Sequence, residues 1–250
     1  LKRDKEAKAA YCRAIELKPS FFEAHFDLGN TLREMERLEE AEKSYLRAIG
    51  LKGDFADAHY NFGLLQKELG EYQKAKTCYE KVIQIQPNNV KAYNNFGNVL
   101  KELGEYHKAI SIFEKAIQIQ PNNAILYNNF GNVQKELEEY PKAISSYEKA
   151  IQIQPNFAKA YYSLGLLQQQ LGKTQRAKSS YEMATKYEPE NLFYLLALSG
   201  LDREILDSNI KTKIFEIIKR DNSTKNNMVY GNFLLSKYEL KNNEYENEFN

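Results

Sequence analysis

Apolar positions along this chain follow a helical spacing, and the helical pattern itself recurs every 34 residues. Each unit can be numbered so that a recurrent glycine is its eighth residue. Its first segment then carries apolar or aromatic residues at positions 4, 7 and often 11. In 90–123 these are Tyr93, Phe96 and Leu100, beside Gly97. The i, i+3, i+4, i+7 spacing makes one face of a helix. The second segment has its own stripe at positions 20, 24, 27 and 28, here Ala109, Phe113, Ala116 and Ile117. A short turn such as LGEY, using Gly70, Gly104 or Gly172, separates the two. A proline at position 32 closes the second helix, because the residue before proline avoids the helical region.

The register is strict. Gly29, Gly63, Gly97, Gly131 and Gly165 share position 8, and Pro19, Pro87, Pro121, Pro155 and Pro189 share position 32, with Gly53 in the remaining slot. A fixed period of this size marks a stacked array of two-helix units, each stable only against its neighbours. The pattern predicts five full units at 22–55, 56–89, 90–123, 124–157 and 158–191. Before them, 1–21 reads as the second helix of a truncated unit, with Ala7, Tyr11, Ala14 and Pro19 in register. The expected fold class is all-α, antiparallel helix pairs with a divergent helical extension at 192–250.

Glycine inside a helix costs about 1 kcal/mol against alanine. Five such glycines in register point to close approach of the paired helix. Alanine at position 20 (Ala41, Ala75, Ala109, Ala143, Ala177) would supply the facing small surface. The aromatic at position 24 (Tyr45, Tyr79, Phe113, Tyr147, Tyr181) would fill the space between layers.

On these residues the chain closely resembles the tetratricopeptide family: in the third unit the matching positions are Gly97, Ala109, Phe113, Ala116 and Pro121. The family's tryptophan at position 4 is replaced by His25, His59, Tyr93, Tyr127 and Tyr161. The resemblance covers 22–191 fully and implies a right-handed α-solenoid that serves as a protein-interaction scaffold.

Regularity fades after Pro189. NLFYLLALSG starts like another first helix, but Ser199 stands where glycine is expected. DSNIKTKIFEIIKR reads as one amphipathic helix striped by Ile210, Ile214, Ile217 and Ile218, and DNSTKNN as a polar linker. The final stretch looks like a divergent repeat whose second helix has just begun at Asn250. One reading of 192–250 is a cap over the last apolar layer. The other is a resemblance: Tyr230, Phe233, Leu234, Ser236, Lys237, Tyr245 and Phe249 form a pattern similar to a segment of bacterial sulfotransferases, where tetratricopeptide repeats precede a catalytic domain. That likeness implies the amino-terminal, non-catalytic arm of a longer protein.

Composition narrows the field without adding chemistry. Lys plus Arg number 35 against 34 Asp plus Glu, a net charge of +1, so no overall field argues for nucleic acid or an anionic membrane. No apolar run approaches the length of a membrane span. The two cysteines, Cys12 and Cys78, are too few for a disulfide framework and are expected as reduced thiols, with the cytoplasm as compartment. No nucleotide or catalytic motif is found, and no cofactor or metal is expected: the glycines are spaced by the repeat, not clustered. His25 and His59 share a packing position, and His107 is expected in solvent.

A candidate binding face follows from helix geometry. At about 100° per residue, positions 2, 6, 9 and 13 of the first helix lie opposite the packed stripe. Position 6 reads Asp27, Asn61, Asn95, Asn129 and Ser163; position 9 reads Asn30, Leu64, Asn98, Asn132 and Leu166. Position 13 is an acidic row (Glu34, Glu68, Glu102, Glu136) beside a basic row at 12 (Arg33, Lys67, Lys101, Lys135). Asparagine is a mediocre helix former, so a row of it asks for a reason. Each amide offers a donor and an acceptor to an extended peptide backbone. The resemblance points the same way, since this surface lines the concave groove in the family and the O-linked N-acetylglucosamine transferase carries an asparagine ladder there. Recent duplication in an Asn-rich genome is the other reading, as YNNFGN stands verbatim in units three and four. The family's carboxylate clamp is matched by Asn30, Asn61 and Lys91, but Phe26 and Asn95 occupy positions that want a lysine and an arginine. The expected partner is therefore an extended protein segment, with Asn30, Asn61, Asn95, Asn98, Asn129, Asn132, Lys67, Lys101 and Lys135 as contact residues. Self-association through the open layer at 4–21 is the structural alternative.

Overall fold

The computed structural model describes residues 2–220 and 223–248. Among these, regular structure is entirely helical, with fourteen α-helices and one 3-10 turn. The chain divides into two compact units, Leu1–Asn122 and Asn123–Asn250. The first holds α1 (Lys2–Leu17), α2 (Phe22–Glu34), α3 (Leu38–Leu51), α4 (Ala56–Glu68), α5 (Tyr72–Ile85), α6 (Val90–Glu102) and α7 (Tyr106–Ile119). The second holds α8 (Ala124–Glu136), α9 (Tyr140–Ile153), α10 (Ala158–Gln170), α11 (Thr174–Tyr187), α12 (Leu192–Leu201), α13 (Ser208–Ile218) and α14 (Lys225–Glu248). Through α1–α7 and α8–α12 each helix packs on the next in the chain, and α2 also touches α4, as α8 touches α10; α14 then packs on both α12 and α13. These are the stacked helix pairs the 34-residue period predicts.

Few helix starts carry a capping side chain. Asn89, Asn123, Asn191 and Asp207 accept from backbone N–H groups, whereas Phe21, Phe55 and Phe157 at equivalent starts do not. The array is held by packing rather than by its ends. Ala41, Ala75, Ala109, Ala143 and Ala177 are fully buried, as are the position-24 rings. Those rings explain the in-register glycines. A Cβ at Gly97 would lie 2.6 Å from Phe113, and one at Gly29, Gly131 or Gly165 2.7 Å from Tyr45, Tyr147 or Tyr181. The glycine is thus demanded by the aromatic ring of its own repeat more than by the alanine at position 20.

The turn between paired helices sits in the left-handed region. Gly70, Gly104 and Gly172 have φ of 76°, 72° and 70°, where glycine carries no Cβ penalty. In the first and fourth repeats the same position is Glu36 and Glu138, each at φ 58°.

Past Pro189, Ser199 occupies the glycine slot of α12, buried, with Oγ donating to the Leu196 carbonyl at 2.8 Å. Ile214 and Ile217 of α13 are core residues, with Ile210 and Ile218 against them, so the amphipathic stripe is used as expected. The expected polar linker is partly helical, since α14 begins at Lys225; Asp221 and Asn222 lie outside the described residues. A turn into a second helix near the chain end is not formed. One helix runs through to Glu248 instead. Leu234 is buried against α12 and α13, a packing role for part of the FLLSK pattern. The side chain of Tyr245 and residue Phe249 lie outside the described residues.

Candidate functional site

The face at positions 2, 6, 9 and 13 is best developed in the first unit. There Asp27, Asn61 and Asn95 form the position-6 row, half-buried, with Glu34, Glu68 and Glu102 exposed at position 13. Asn61 Nδ2 donates to Asn30 Oδ1 of the preceding repeat at 2.7 Å, and that oxygen also accepts from the Tyr45 hydroxyl at 2.8 Å. Asn95 Nδ2 donates to the Tyr60 hydroxyl, again one repeat back, at 2.8 Å. The amide donors therefore stitch successive first helices together. The oxygens Asn61 Oδ1 and Asn95 Oδ1 have no protein partner among the described residues. Asn98 is also half-buried, and the position-24 residue of its repeat, Phe113, has no hydroxyl to offer.

Charges flank the row. Arg33 meets Glu68 at 3.2 Å across the repeat boundary, and Lys101 meets Glu102 at 2.7 Å. Asp27 is held above the usual carboxylate range, first by partial burial and then by the neighbouring Glu23. Phe26 lies 5.0 Å from Phe55 and 6.2 Å from Tyr45, ring centroid to centroid, so the clamp position it occupies is aromatic packing.

In the second unit the row is different. Asn129 is only 6% exposed, beside the fully buried Asn128, whose Nδ2 donates to Asn129 Oδ1 at 3.4 Å. Asn132 Oδ1 accepts from the Tyr147 hydroxyl at 2.9 Å, and Lys135 meets Glu136 at 3.2 Å. Of the amides expected on the face, Asn61, Asn95 and Asn98 keep open surface, Asn30 and Asn132 also serve as tyrosine acceptors, and Asn129 is covered.

Sequence reasoning missed that positions 9 and 24 are wired together. Tyr45 and Tyr147 donate to Asn30 and Asn132 fifteen residues earlier. In the fifth repeat position 9 is Leu166, and Tyr181 turns to Gln169 at 2.8 Å. In the second repeat position 9 is Leu64, and the buried Tyr79 hydroxyl is left without a partner. A second pair links positions 11 and 23: Ser146 donates to Gln134 at 2.7 Å and Ser180 to Gln168 at 2.8 Å. The second repeat has Gln66 and Cys78 there, and Gln66 Oε1 is also unpartnered. The alternation of Asn with Leu at position 9 was the available signal.

The other candidates resolve into structure. His25 and His59 each donate Nε2–H to a backbone carbonyl, of Pro19 at 3.1 Å and Gly53 at 3.0 Å, and His107 is exposed. Cys12 and Cys78 are free thiols, the latter pushed up to about 12 by burial and so inert. Among the described residues no group of three or more His, Cys, Asp or Glu side chains could hold a metal, and no helix is long and apolar enough to cross a membrane.

Family models for the TPR repeat match residues 29–70 and 131–172, and those for the tetratricopeptide repeat match 1–21, 54–122, 112–145 and 158–191. The chain is a tetratricopeptide repeat protein. No curated protein sequence matches it significantly. Solved structures share the fold at low identity. Among them is MamA, 24% identical over 65% of this chain and 95% of its own, with a TM-score of 0.59. YrrB, described as a TPR protein with an unusual peptide-binding site, is 23% identical over 75% of this chain and 97% of its own, also at 0.59. PilF of Pseudomonas aeruginosa is 19% identical over 91% of this chain and 97% of its own, at 0.61. Within the tetratricopeptide framework, the ring-on-glycine contact recurs in every full repeat, and the left-handed turn position is glycine in three of them and glutamate in two.

Proposed function

We propose that this tetratricopeptide protein is a non-enzymatic scaffold that binds an extended segment of another protein along its first-helix face. The supporting observation is the pair of amide oxygens, Asn61 Oδ1 and Asn95 Oδ1, left open at equivalent positions of adjacent repeats. Their Nδ2 groups are fixed by neighbours, so the oxygens are oriented before a ligand arrives, which lowers the ordering cost of binding. An extended backbone repeats its N–H groups along the chain and so suits such a row. YrrB, similar in fold, is described as having a peptide-binding site, which fits this use of the scaffold. The free thiols fit a reducing compartment such as the cytoplasm.

The test is selection of binders from a displayed random-peptide library, followed by the double variant Asn61→Ala/Asn95→Ala. Binding of the selected peptides should be lost while helical circular dichroism is retained. Unchanged binding by the folded variant removes the ladder from the mechanism.

A further inference from the structure

The first-helix face of the first unit is not chemically neutral toward a peptide. Its position-6 row runs Asp27, Asn61, Asn95. With both amide Nδ2 groups turned to the preceding repeat, what the row presents outward is a carboxylate and two carbonyl oxygens. All three are acceptors only. A peptide backbone carries donors and acceptors in equal number, so a row of acceptors favours a segment that brings extra donors on its side chains.

The charges agree. Arg33 and Lys101 are held by Glu68 and Glu102. That leaves Glu23, Asp27, Glu34 and Asp57 without an ion-pair partner among the described residues, against Lys67 and Lys91. Three of the four belong to the first repeat and the fourth opens the second, so the excess is concentrated at one end of the row. The full repeats of the second unit lack it: positions 2, 6, 9 and 13 there hold a single carboxylate, Glu136, paired with Lys135. Among the described residues no cluster of three metal-ligating side chains converges on this face, so a bare metal ion is a poor occupant. The sign is also opposite to that of a clamp for a terminal carboxylate.

Resting on the peptide-binding reading above, we propose that this face takes an extended segment bearing Lys or Arg side chains. One cationic side chain seats between Asp27 and Asp57, and main-chain N–H groups meet Asn61 Oδ1 and Asn95 Oδ1. A cation beside Asp27 offsets the penalty that partial burial and Glu23 place on its carboxylate. An acidic segment meets only repulsion at that end.

The experiment uses the full chain and three fluorescein-labelled peptides about 12 residues long, each spanning roughly 40 Å when extended. They are built from Gly-Ser-Arg, Gly-Ser-Gln or Gly-Ser-Glu repeats, and binding is followed by fluorescence anisotropy. The basic peptide should bind at least about tenfold tighter than the acidic one, with the gap shrinking as salt rises from about 50 to 300 mM. Asp27→Asn/Asp57→Asn should weaken the basic peptide about fivefold or more, while Glu114→Gln/Glu148→Gln, on exposed second-helix positions, leaves it unchanged. Equal losses in the two double variants overturn the site in favour of general surface charge. Equal or tighter binding of the neutral or acidic peptide overturns the charge preference and leaves the ladder reading standing. Binding of none of the three overturns both.

Discussion

Removing one oxygen atom at the same position of two repeats should change stability with opposite sign. Tyr79 and Tyr147 both occupy position 24, both are fully buried, and both rings lie on the glycine of their own repeat. Tyr147 donates to Asn132 at 2.9 Å, whereas the second repeat has Leu64 at position 9 and the Tyr79 hydroxyl has no partner. Burial pushes the Tyr79 phenol far up, so it stays neutral and its O–H is simply stranded. A stranded buried hydroxyl costs about 1–3 kcal/mol, and a satisfied one contributes about 1 kcal/mol net. Tyr79→Phe keeps the ring, as the native Phe113 does in the third repeat, and is expected to stabilise by about 1 kcal/mol. Tyr147→Phe is expected to destabilise by about 1 kcal/mol and leaves Asn132 Oδ1 without its donor. For a chain of this size each change moves the thermal midpoint by about 2–4 °C, one up and one down. Leu64→Asn, which supplies the missing acceptor, should stabilise the wild-type Tyr79 and do nothing for the Phe variant. Thermal and urea unfolding followed by circular dichroism decide the matter. The same sign for both Phe variants would refute the wiring of positions 9 and 24.

Cys78→Ser should stabilise by about 1 kcal/mol, against the usual trend for a buried thiol, because the serine can donate to Gln66 Oε1 as Ser146 does to Gln134; a lower urea midpoint would count against it. Glu138→Gly, at φ 58°, should stabilise by about 1 kcal/mol in urea unfolding, since the left-handed region penalises a Cβ; no gain would mean that glutamate's unfolded-state stiffness cancels the strain. Asp27→Asn should raise the thermal midpoint at neutral pH. A carboxyl whose folded pKa lies above its unfolded value withdraws stability as pH rises through that folded pKa, so the gain should vanish in acid, below the ordinary value of 3.8. A gain of equal size at both pH values would assign the effect to something other than titration.

Much of this architecture was legible in residue order. Glycine, alanine, aromatic and proline at fixed steps gave the helix pairs, and the left-handed turns fell at Gly70, Gly104 and Gly172. What escaped depends on neighbours in space. Opposition to the packed stripe predicted an open Asn129, yet it is buried beside Asn128, because an angular argument on one helix ignores its surroundings. The hydroxyl wiring escaped because Asn30 and Tyr45 look independent in sequence, each with its own helical reason. The unbroken α14 escaped because its apolar spacing resembles a repeat, and that spacing alone does not say where a helix turns back.

The ring-on-glycine contact has a bearing on how such a chain grows. This close steric fit closes inside each 34-residue segment, so copying a whole segment imports lock and key together, with no new ring-on-glycine fit to be found at the junction. Duplicating half of one would separate ring from glycine and meet the clash at once. The verbatim YNNFGN in two consecutive segments is the kind of trace that whole-segment copying leaves behind.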